Sequence, residues 1–165
     1  MTREQLEHAI RAACDVSGES AVIVFGSQSI LAQYPDASDE LRQSMEADIA
    51  PASNDPDAAD RIDGALGEDS GFQQLHGFYV HGLTLDAACL PEGWERRVVV
   101  LRSERTRGNE GRCLEAHDLA LGGQRGVLQR GPLVVPEGGD LVGVVDGDEQ
   151  PAELPPPERH PTRVG

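Results

Sequence analysis

One short segment constrains the fold of this chain more than any other, the apolar run Ala21–Phe25, which Gly26 and Ser27 follow directly. Five consecutive apolar residues that include β-branched Val and Ile favour a buried strand. The residues that come next, up to Gln33, favour a helix. Because glycine lets the backbone approach a ligand closely, and because free N–H groups at a helix start attract anions, we predict that Gly26 and Ser27 bind phosphate.

A second segment, Met45–Ile49, carries acidic residues at alternate positions, Glu46 and Asp48. Residues two apart in a strand point to the same face of a sheet. We therefore expect the two carboxylates side by side, with Met45 and the other two side chains of the segment packed beneath them. Like charges that lie so close either raise the pKa of one group or require a cation. Mg²⁺ prefers oxygen ligands and suits such a pair when substrate phosphates complete its coordination.

The two segments are more informative together than either is alone. A phosphate-binding turn after one strand and a pair of carboxylates on a neighbouring strand would place a triphosphate and a metal ion in one cleft. Metal-assisted nucleotidyl transfer needs this layout, because the phosphates must be oriented, their charge neutralised, and an acceptor hydroxyl aligned with the leaving pyrophosphate.

The other segments alternate between helix and strand patterns. Thr2 with Gln5 three residues later forms a capping-box pattern, which predicts a first helix that ends at Gly18. Asp55 followed by Pro56 is typical of a second helix start. Two further strands, and a short strand that passes into a helix, are expected at Gly77–Leu83, Arg97–Leu101 and Cys113–Leu121. This alternation predicts a small α/β domain.

The charge of the chain limits its partners. The formal net charge is -15, with 14 Lys+Arg against 29 Asp+Glu, and every one of these cations is arginine. Such a field repels nucleic acid, which argues against general DNA binding but not against nucleotides that arrive as magnesium complexes. An acidic domain that mimics nucleic acid is a weaker alternative. Positive charge is concentrated in one stretch, which we interpret as a solvated strand edge and loop, with phosphate steering as the alternative: Arg96, Arg97, Arg102, Arg105 and Arg107.

Cysteine spacing and hydropathy indicate the compartment. Cys14, Cys89 and Cys113 are far apart and lack a CxxC pair, which favours three small core residues over disulfides or zinc ligands. The first residues do not combine a basic flank with an apolar stretch, and no apolar run approaches membrane length. We therefore predict a soluble, cytoplasmic protein without membrane contact.

The composition changes at Gly122. Residues 122–165 contain 9 Gly and 7 Pro, whereas residues 1–121 contain the other 10 Gly and 4 Pro. Together with the loss of amphipathic periodicity, this contrast predicts an irregular or disordered tail after a domain that spans residues 1–121.

Several blocks of the sequence resemble a known family. VIVFGSQSILAQYP, SMEADI, GALGEDSGFQQLHGFYVHG, LPEGWERRVV and CLEAHDLAL are similar to DUF6036, a bacterial nucleotidyltransferase-like family of otherwise undefined function. That family is related to the toxin components of AbiE-type toxin–antitoxin pairs. The resemblance covers about residues 15–121, and the GSQSI, MEADI and HDLAL blocks are its most specific parts.

The resemblance implies a fold and a set of site residues. The fold is the polymerase-β-like nucleotidyltransferase fold, an α+β arrangement in which helices flank a short mixed sheet that carries the active site. Gly26 and Ser27 correspond to its glycine–serine signature, and Glu46 and Asp48 to its acid-x-acid signature. Relatives continue after the HDL block into a helix with a lysine. Since Gly-Gly-Gln-Arg-Gly follows Leu121 here, a shifted reading frame downstream is one hypothesis for the tail.

The resemblance also bears on three further residues. A third carboxylate is expected on a following strand, where this chain offers His81, with Asp86 just beyond. A histidine on an apolar strand is most often a satisfied structural residue, and this is our interpretation of His81. We interpret Asp118 as a helix cap or first-turn acid, while the resemblance implies a supporting role at the substrate site as the alternative.

The leading hypothesis is a magnesium-dependent nucleotidyltransferase that moves a nucleotide from an NTP to an unknown acceptor, tRNA or protein, in a toxin–antitoxin setting with an antitoxin as partner. Glu46 and Asp48 would bind Mg²⁺, and Gly26 and Ser27 would hold the β- and γ-phosphates. The alternative is a catalytically degenerate or truncated nucleotidyltransferase-like module that acts by binding a partner.

Overall fold

A computed structural model describes residues 1–122, so the predicted tail from residue 123 onward lies outside the described residues. The helices are α1 (Arg3–Ser17), α2 (Pro56–Leu66), α3 (Gly71–His76) and α4 (Ala116–Gly122). The strands are β1 (Ala21–Phe25), β2 (Glu46–Pro51), β3 (Tyr79–Gly82), β4 (Val99–Leu101) and β5 (Glu110–Cys113). Three 3₁₀ helices lie in the connections of this described part, at Ser27–Ala32, Leu85–Ala87 and Trp94–Arg96.

The five strands form one mixed sheet in the order β3-β2-β1-β5-β4. The central strand β1 is antiparallel to β2 and parallel to β5. On the two sides, β2 is parallel to β3 and β4 is antiparallel to β5. The molecule therefore belongs to the α+β class, and the expected short mixed sheet with flanking helices is confirmed.

Helix α1 forms where the capping box predicts it. The Thr2 hydroxyl accepts a hydrogen bond from the Gln5 amide, and the Gln5 side chain accepts one from the Thr2 amide, at 3.2 and 2.8 Å. The helix ends at Gly18, whose φ of 80° is left-handed. Its apolar face, which includes the fully buried Leu6 and Ile10, packs on the sheet.

Helices α1 and α2 cover one face of the sheet. Every residue of β1 is buried, as expected for a continuous apolar run in a central strand. Helix α2 lies so close to β3 that a Cβ atom on Gly82 would lie 2.3 Å from the carbonyl oxygen of Ala59. Glycine at this position therefore sets the distance between helix and sheet.

The structure corrects several local expectations. Strand β2 begins at Glu46 and not at Met45, whose side chain is 56% exposed instead of packed beneath the acidic pair. Cys14 and Cys113 are buried as expected, but Cys89 is exposed. Helix α3 was not predicted, and β5 begins at Glu110, three residues before the predicted strand at Cys113.

None of the helices in the described part of the chain has the length and apolar character that a membrane crossing requires.

Candidate metal centre

The second strand separates an apolar face from an acidic one. Ala47 and Ile49 are fully buried on the side of the helices. Glu46 and Asp48 alternate with them and therefore point to the opposite face, as the alternation in the sequence predicts. Strand β3 runs parallel to β2 and places His81 beside Asp48 in the register.

Three side chains converge on this face. The His81 Nδ1 atom lies 3.2 Å from Glu46 Oε1 and 3.5 Å from Asp48 Oδ1. One candidate ligand atom from each of the three residues lies within 4.8 Å of the others. Tyr79, the register partner of Glu46, donates a hydrogen bond from its hydroxyl to Glu46 Oε2 at 2.9 Å. Glu46 therefore keeps one oxygen directed toward His81 while Tyr79 holds the other.

Asp48 is a largely buried carboxylate whose charge is only partly compensated. Its side chain is 13% exposed, and its buried Oδ1 atom accepts no hydrogen bond from the residues that the structure describes. Burial, and next the negative charge of Glu46, raise the pKa of Asp48 to about 7, and His81 opposes this only in part. A buried polar atom without a partner is costly, so this oxygen is suited to bind a cation.

The hydrogen bond to Glu46 also affects Tyr79. Burial, followed by that hydrogen bond and the negative charge of Glu46, raises the pKa of the Tyr79 hydroxyl to about 12. The phenol is therefore a neutral donor at physiological pH. It orients Glu46 without adding charge to the site.

The predicted phosphate-binding turn adjoins the acidic pair. Phe25, the last residue of β1, is the register partner of Asp48, so Gly26 follows immediately beside it. Gly26 has φ 71° and ψ 179°, a conformation that is essentially restricted to glycine. A Cβ atom on Gly26 would lie 2.1 Å from Asp48 Oδ2. The absence of a side chain therefore lets the turn and the carboxylate share one site.

Buried hydrogen bonds fix the segment that follows the turn. Ser27 begins the 3₁₀ helix and is partly exposed. The side chain of Gln28, which is buried, donates a hydrogen bond to the carbonyl oxygen of Leu41 at 3.0 Å. The hydroxyl of Ser29 donates one to the carbonyl oxygen of Leu114 at 3.2 Å. These contacts tie the turn to distant parts of the chain and hold Ser27 next to the acidic face.

The residues present fit a divalent cation. Two carboxylates and an imidazole are established ligand types, and the Asp48 oxygen without a hydrogen-bond partner supplies a site where an ion would remove an electrostatic penalty. The close approach of Gly26 to the other oxygen, Oδ2, keeps the same carboxylate next to the backbone of the turn. A cation there would lie between the acidic pair and any anion bound at the turn.

The structure shows which residues satisfy His81. Its side chain is 46% exposed and its Nδ1 atom contacts both acidic residues, so its polar partners are the two other members of the candidate site. It lies on the strand where the resemblance leads one to expect a third carboxylate. Asp86, the weaker substitute, lies in a 3₁₀ turn and does not belong to this group of potential ligands.

The arginine-rich stretch is largely engaged with carboxylates. Arg97 forms a two-pronged hydrogen-bonded pair with Asp118, which lies in the first turn of α4 as predicted. Arg102 lies 3.4 Å from Glu110, and Arg105 2.7 Å from Glu4. These three arginines therefore neutralise acidic side chains of the protein itself, in agreement with a structural strand edge and loop.

Comparison of the chain with protein-family models, with curated proteins and with solved structures finds no match. The family resemblance and the activity that it implies therefore stay predictions, and the geometry of the site carries the proposal that follows.

Proposed function

We propose that the protein is a magnesium-dependent nucleotidyltransferase that moves a nucleotide from an NTP to an acceptor. One observation carries the proposal, the direct approach of Gly26 to the Asp48 carboxylate. Two sequence features that lie 22 positions apart, Gly26 and Asp48, meet in one site on the face of the sheet opposite α1 and α2. A phosphate at the turn and a cation at the acidic pair would then be neighbours.

Each residue has a defined role in this proposal. Glu46 and Asp48 would hold Mg²⁺, with Asp48 Oδ1 as the ligand atom that accepts no hydrogen bond within residues 1–122. Gly26 and Ser27 would bind the β- and γ-phosphates through backbone amides and the serine hydroxyl. When bound, the ion supplies charge neutralisation and polarises the reacting phosphate. Tyr79 orients Glu46 for this task.

The electrostatics of the chain support the need for a cation. A net charge of -15 repels a free triphosphate, and the acidic pair lies directly beside the proposed phosphate site. An NTP that arrives as its magnesium complex brings the neutralising charge with it. The proposal therefore requires that nucleotide binding depend on the divalent ion.

The finer fold assignment is part of the proposal. A mixed sheet with the acidic pair on the face opposite α1 and α2, next to a strand that Gly26 and Ser27 follow directly, is the arrangement that the polymerase-β-like fold would give. The toxin–antitoxin setting, an antitoxin partner and a tRNA or protein acceptor rest on the family resemblance.

A second candidate is a catalytically degenerate module that acts by binding a partner. One observation favours it, because the strand position where a third carboxylate is expected carries His81. Titration calorimetry with ATP and Mg²⁺ separates the two candidates. Binding that Glu46→Gln removes, and that exposed Glu40→Gln leaves unchanged, supports the site. Absence of binding at millimolar nucleotide supports the degenerate module.

Transfer itself is tested with α-labelled NTPs. The protein is incubated with Mg²⁺, each NTP in turn, and either tRNA or a bacterial protein extract. We expect label in one acceptor fraction with the wild type, and none with Asp48→Asn. Asp60→Asn, which changes an exposed aspartate on α2, is the matched control and should retain labelling. Undiminished labelling by Asp48→Asn would refute the role of the acidic pair.

A further inference from the structure

The third member of the metal centre is a nitrogen ligand. Nδ1 of His81, and not an oxygen, faces both carboxylates across the β2–β3 pairing. The side chain is 46% exposed, so its position does not follow from burial in the core. Its backbone register beside Asp48 directs it into the site.

The separations of His81 Nδ1 from the two carboxylate oxygens are close to those of ligands around one ion. Two atoms that each lie about 2.1 Å from a metal, at octahedral or tetrahedral angles, are about 3.0–3.4 Å apart. Nδ1 of His81 lies 3.2 Å from Glu46 Oε1 and 3.5 Å from Asp48 Oδ1. Small side-chain adjustments would therefore allow all three residues to bind one ion.

A mixed set of ligands discriminates between cations. Mg²⁺ demands oxygen ligands and near-ideal octahedral geometry, whereas imidazole is a common ligand of first-row transition ions. We propose that His81 is a direct metal ligand that makes this site select a divalent transition ion, such as Mn²⁺, over Mg²⁺. Carboxylates bind Mn²⁺ well, and the imidazole nitrogen adds a coordination bond that Mg²⁺ forms only weakly.

This inference deepens the proposed function because it concerns the same site and changes the identity of its ion. It rests on that function only for the location of the ion. Its test measures metal binding without nucleotide, so a failure of transfer chemistry and a failure of metal selection give different results.

The test is a titration of the whole protein with Mn²⁺, followed by the electron paramagnetic resonance signal of the free ion, and repeated with Mg²⁺ as competitor. We expect one Mn²⁺ per chain that depends on Glu46 and Asp48, and displacement only by an excess of Mg²⁺ of about tenfold or more. Zn²⁺, which lies higher in the order of transition-ion affinities, should displace Mn²⁺ more readily than Mg²⁺ does.

Two variants of His81 isolate the nitrogen ligand. His81→Asp converts the site into three carboxylates, so we expect the preference for Mn²⁺ over Mg²⁺ to fall by about tenfold. His81→Gln removes the nitrogen ligand without adding charge and should weaken Mn²⁺ binding by a similar factor while Mg²⁺ binding changes little. Because His81 is half-exposed, both variants should fold, which circular dichroism checks.

A matched control adds the same charge elsewhere. His117, exposed on α4 and paired with Glu115, is changed to Asp, and the ratio of Mn²⁺ to Mg²⁺ affinity should stay that of the wild type. The proposal is overturned if Mg²⁺ displaces Mn²⁺ at equal concentration, if neither ion binds, or if His81→Asp leaves the ratio of affinities unchanged.

Discussion

Two aspartates of the described chain, one buried and one largely buried, lie in contrasting surroundings. The side chain of Asp118 is 4% exposed, and Arg97 binds both of its oxygens, with nitrogen–oxygen distances of 2.8 and 2.9 Å. Asp48 is 13% exposed, yet its neighbours are a second carboxylate and a histidine, and one of its oxygens accepts no hydrogen bond from residues 1–122. The first aspartate has a guanidinium partner within the described chain, and the second does not.

The contrast shows how the two sites differ in purpose. The pair of Arg97 and Asp118 joins the segment before β4 to the start of α4, so it stabilises the fold. The charged form of Asp48 destabilises the fold, because burial and the negative charge of Glu46 disfavour it and raise the pKa of Asp48 to about 7. Costly arrangements of this kind persist where function requires them, and perturbed carboxylates are typical of functional sites.

The largest expected effect comes from breaking the compensated aspartate. Arg97→Met keeps an apolar stem but leaves Asp118 buried without its guanidinium partner. The Arg97 side chain is 43% exposed and that of Asp118 is 4% exposed, so the loss of Arg97 leaves a buried carboxylate unpaired, and we expect the Tm to fall by about 5 °C. Differential scanning calorimetry measures the shift, and Arg96→Met, at an exposed position next to it, is the matched control. An unchanged Tm in Arg97→Met would show that the pair contributes nothing to the fold.

Asp48→Asn should have the opposite effect on stability. The neutral amide removes the penalty of a buried charge beside Glu46, so with EDTA present at pH 8 we expect the Tm to rise by about 3–5 °C. The same variant should bind no Mn²⁺. A lower Tm of Asp48→Asn than of the wild type in EDTA would indicate that the charge of Asp48 stabilises the metal-free protein. That result would contradict the contrast between Asp48 and Asp118.

The Tm difference between Asp48→Asn and the wild type should depend on pH. Because the pKa of Asp48 is raised from 3.8 to about 7, the stability that its protonated form contributes is complete below 3.8 and is lost as the pH rises through about 7. The Tm advantage of Asp48→Asn should therefore grow between pH 5 and pH 7 and level off above about pH 8. A difference that is constant across this range would mean that the pKa is not raised.

Two glycines with positive φ distinguish backbone strain from loss of the site. Gly18 and Gly26 have φ values of 80° and 71°, but a Cβ atom would meet nothing within 4 Å at Gly18, whereas at Gly26 it would meet Asp48. We expect Gly18→Ala to cost about 1–2 kcal/mol and to leave Mn²⁺ binding intact. Gly26→Ala should cost about 1–3 kcal/mol and abolish Mn²⁺ binding, because Asp48 is displaced.

Chemical denaturation and Mn²⁺ titration of the two glycine variants supply both measurements. Equal loss of metal binding in the two variants would show that general destabilisation, and not the contact with Asp48, accounts for the effect.

The smallest expected effect concerns Tyr79. Tyr79→Phe removes one hydrogen bond to Glu46 and leaves the three candidate ligands in place. Residues that orient metal ligands typically contribute about tenfold or more to affinity, and we expect the weaker end of that range because Glu46 is also held by His81. Mn²⁺ titration measures it, with Tyr34→Phe as the control. A change as large as that of Asp48→Asn would make Tyr79 a principal member of the site.

The local elements of the fold could be predicted from the sequence where the signals are local. The capping box at Thr2, the apolar run of β1 and the Asp55-Pro56 start of α2 all form as expected. Strand β5 was misplaced because Glu110–Cys113 alternates polar residues with a glycine and lacks an apolar run. Met45 was misassigned because its exposure depends on where β2 begins.

The acidic pair could also be predicted, since alternation within one strand is enough to place two side chains on one face. The position of His81 beside the acidic pair could not, because it depends on the parallel register between β2 and β3, which the sequence does not reveal. That Asp48 Oδ1 accepts no hydrogen bond from residues 1–122 is equally a product of tertiary packing. In this chain the sequence indicates which residues are acidic, and the fold decides which of them are compensated.

The central claim is that Glu46, Asp48 and His81 hold one divalent ion beside the Gly26–Ser27 turn. Crystals soaked with Mn²⁺ and a non-hydrolysable NTP analogue test it most directly, by anomalous diffraction at the manganese edge. The account predicts one peak within bonding distance of Asp48 Oδ1 and His81 Nδ1, with analogue phosphate between that ion and the turn. A peak elsewhere, or an Asp48 side chain turned away from His81 toward another partner, would contradict it.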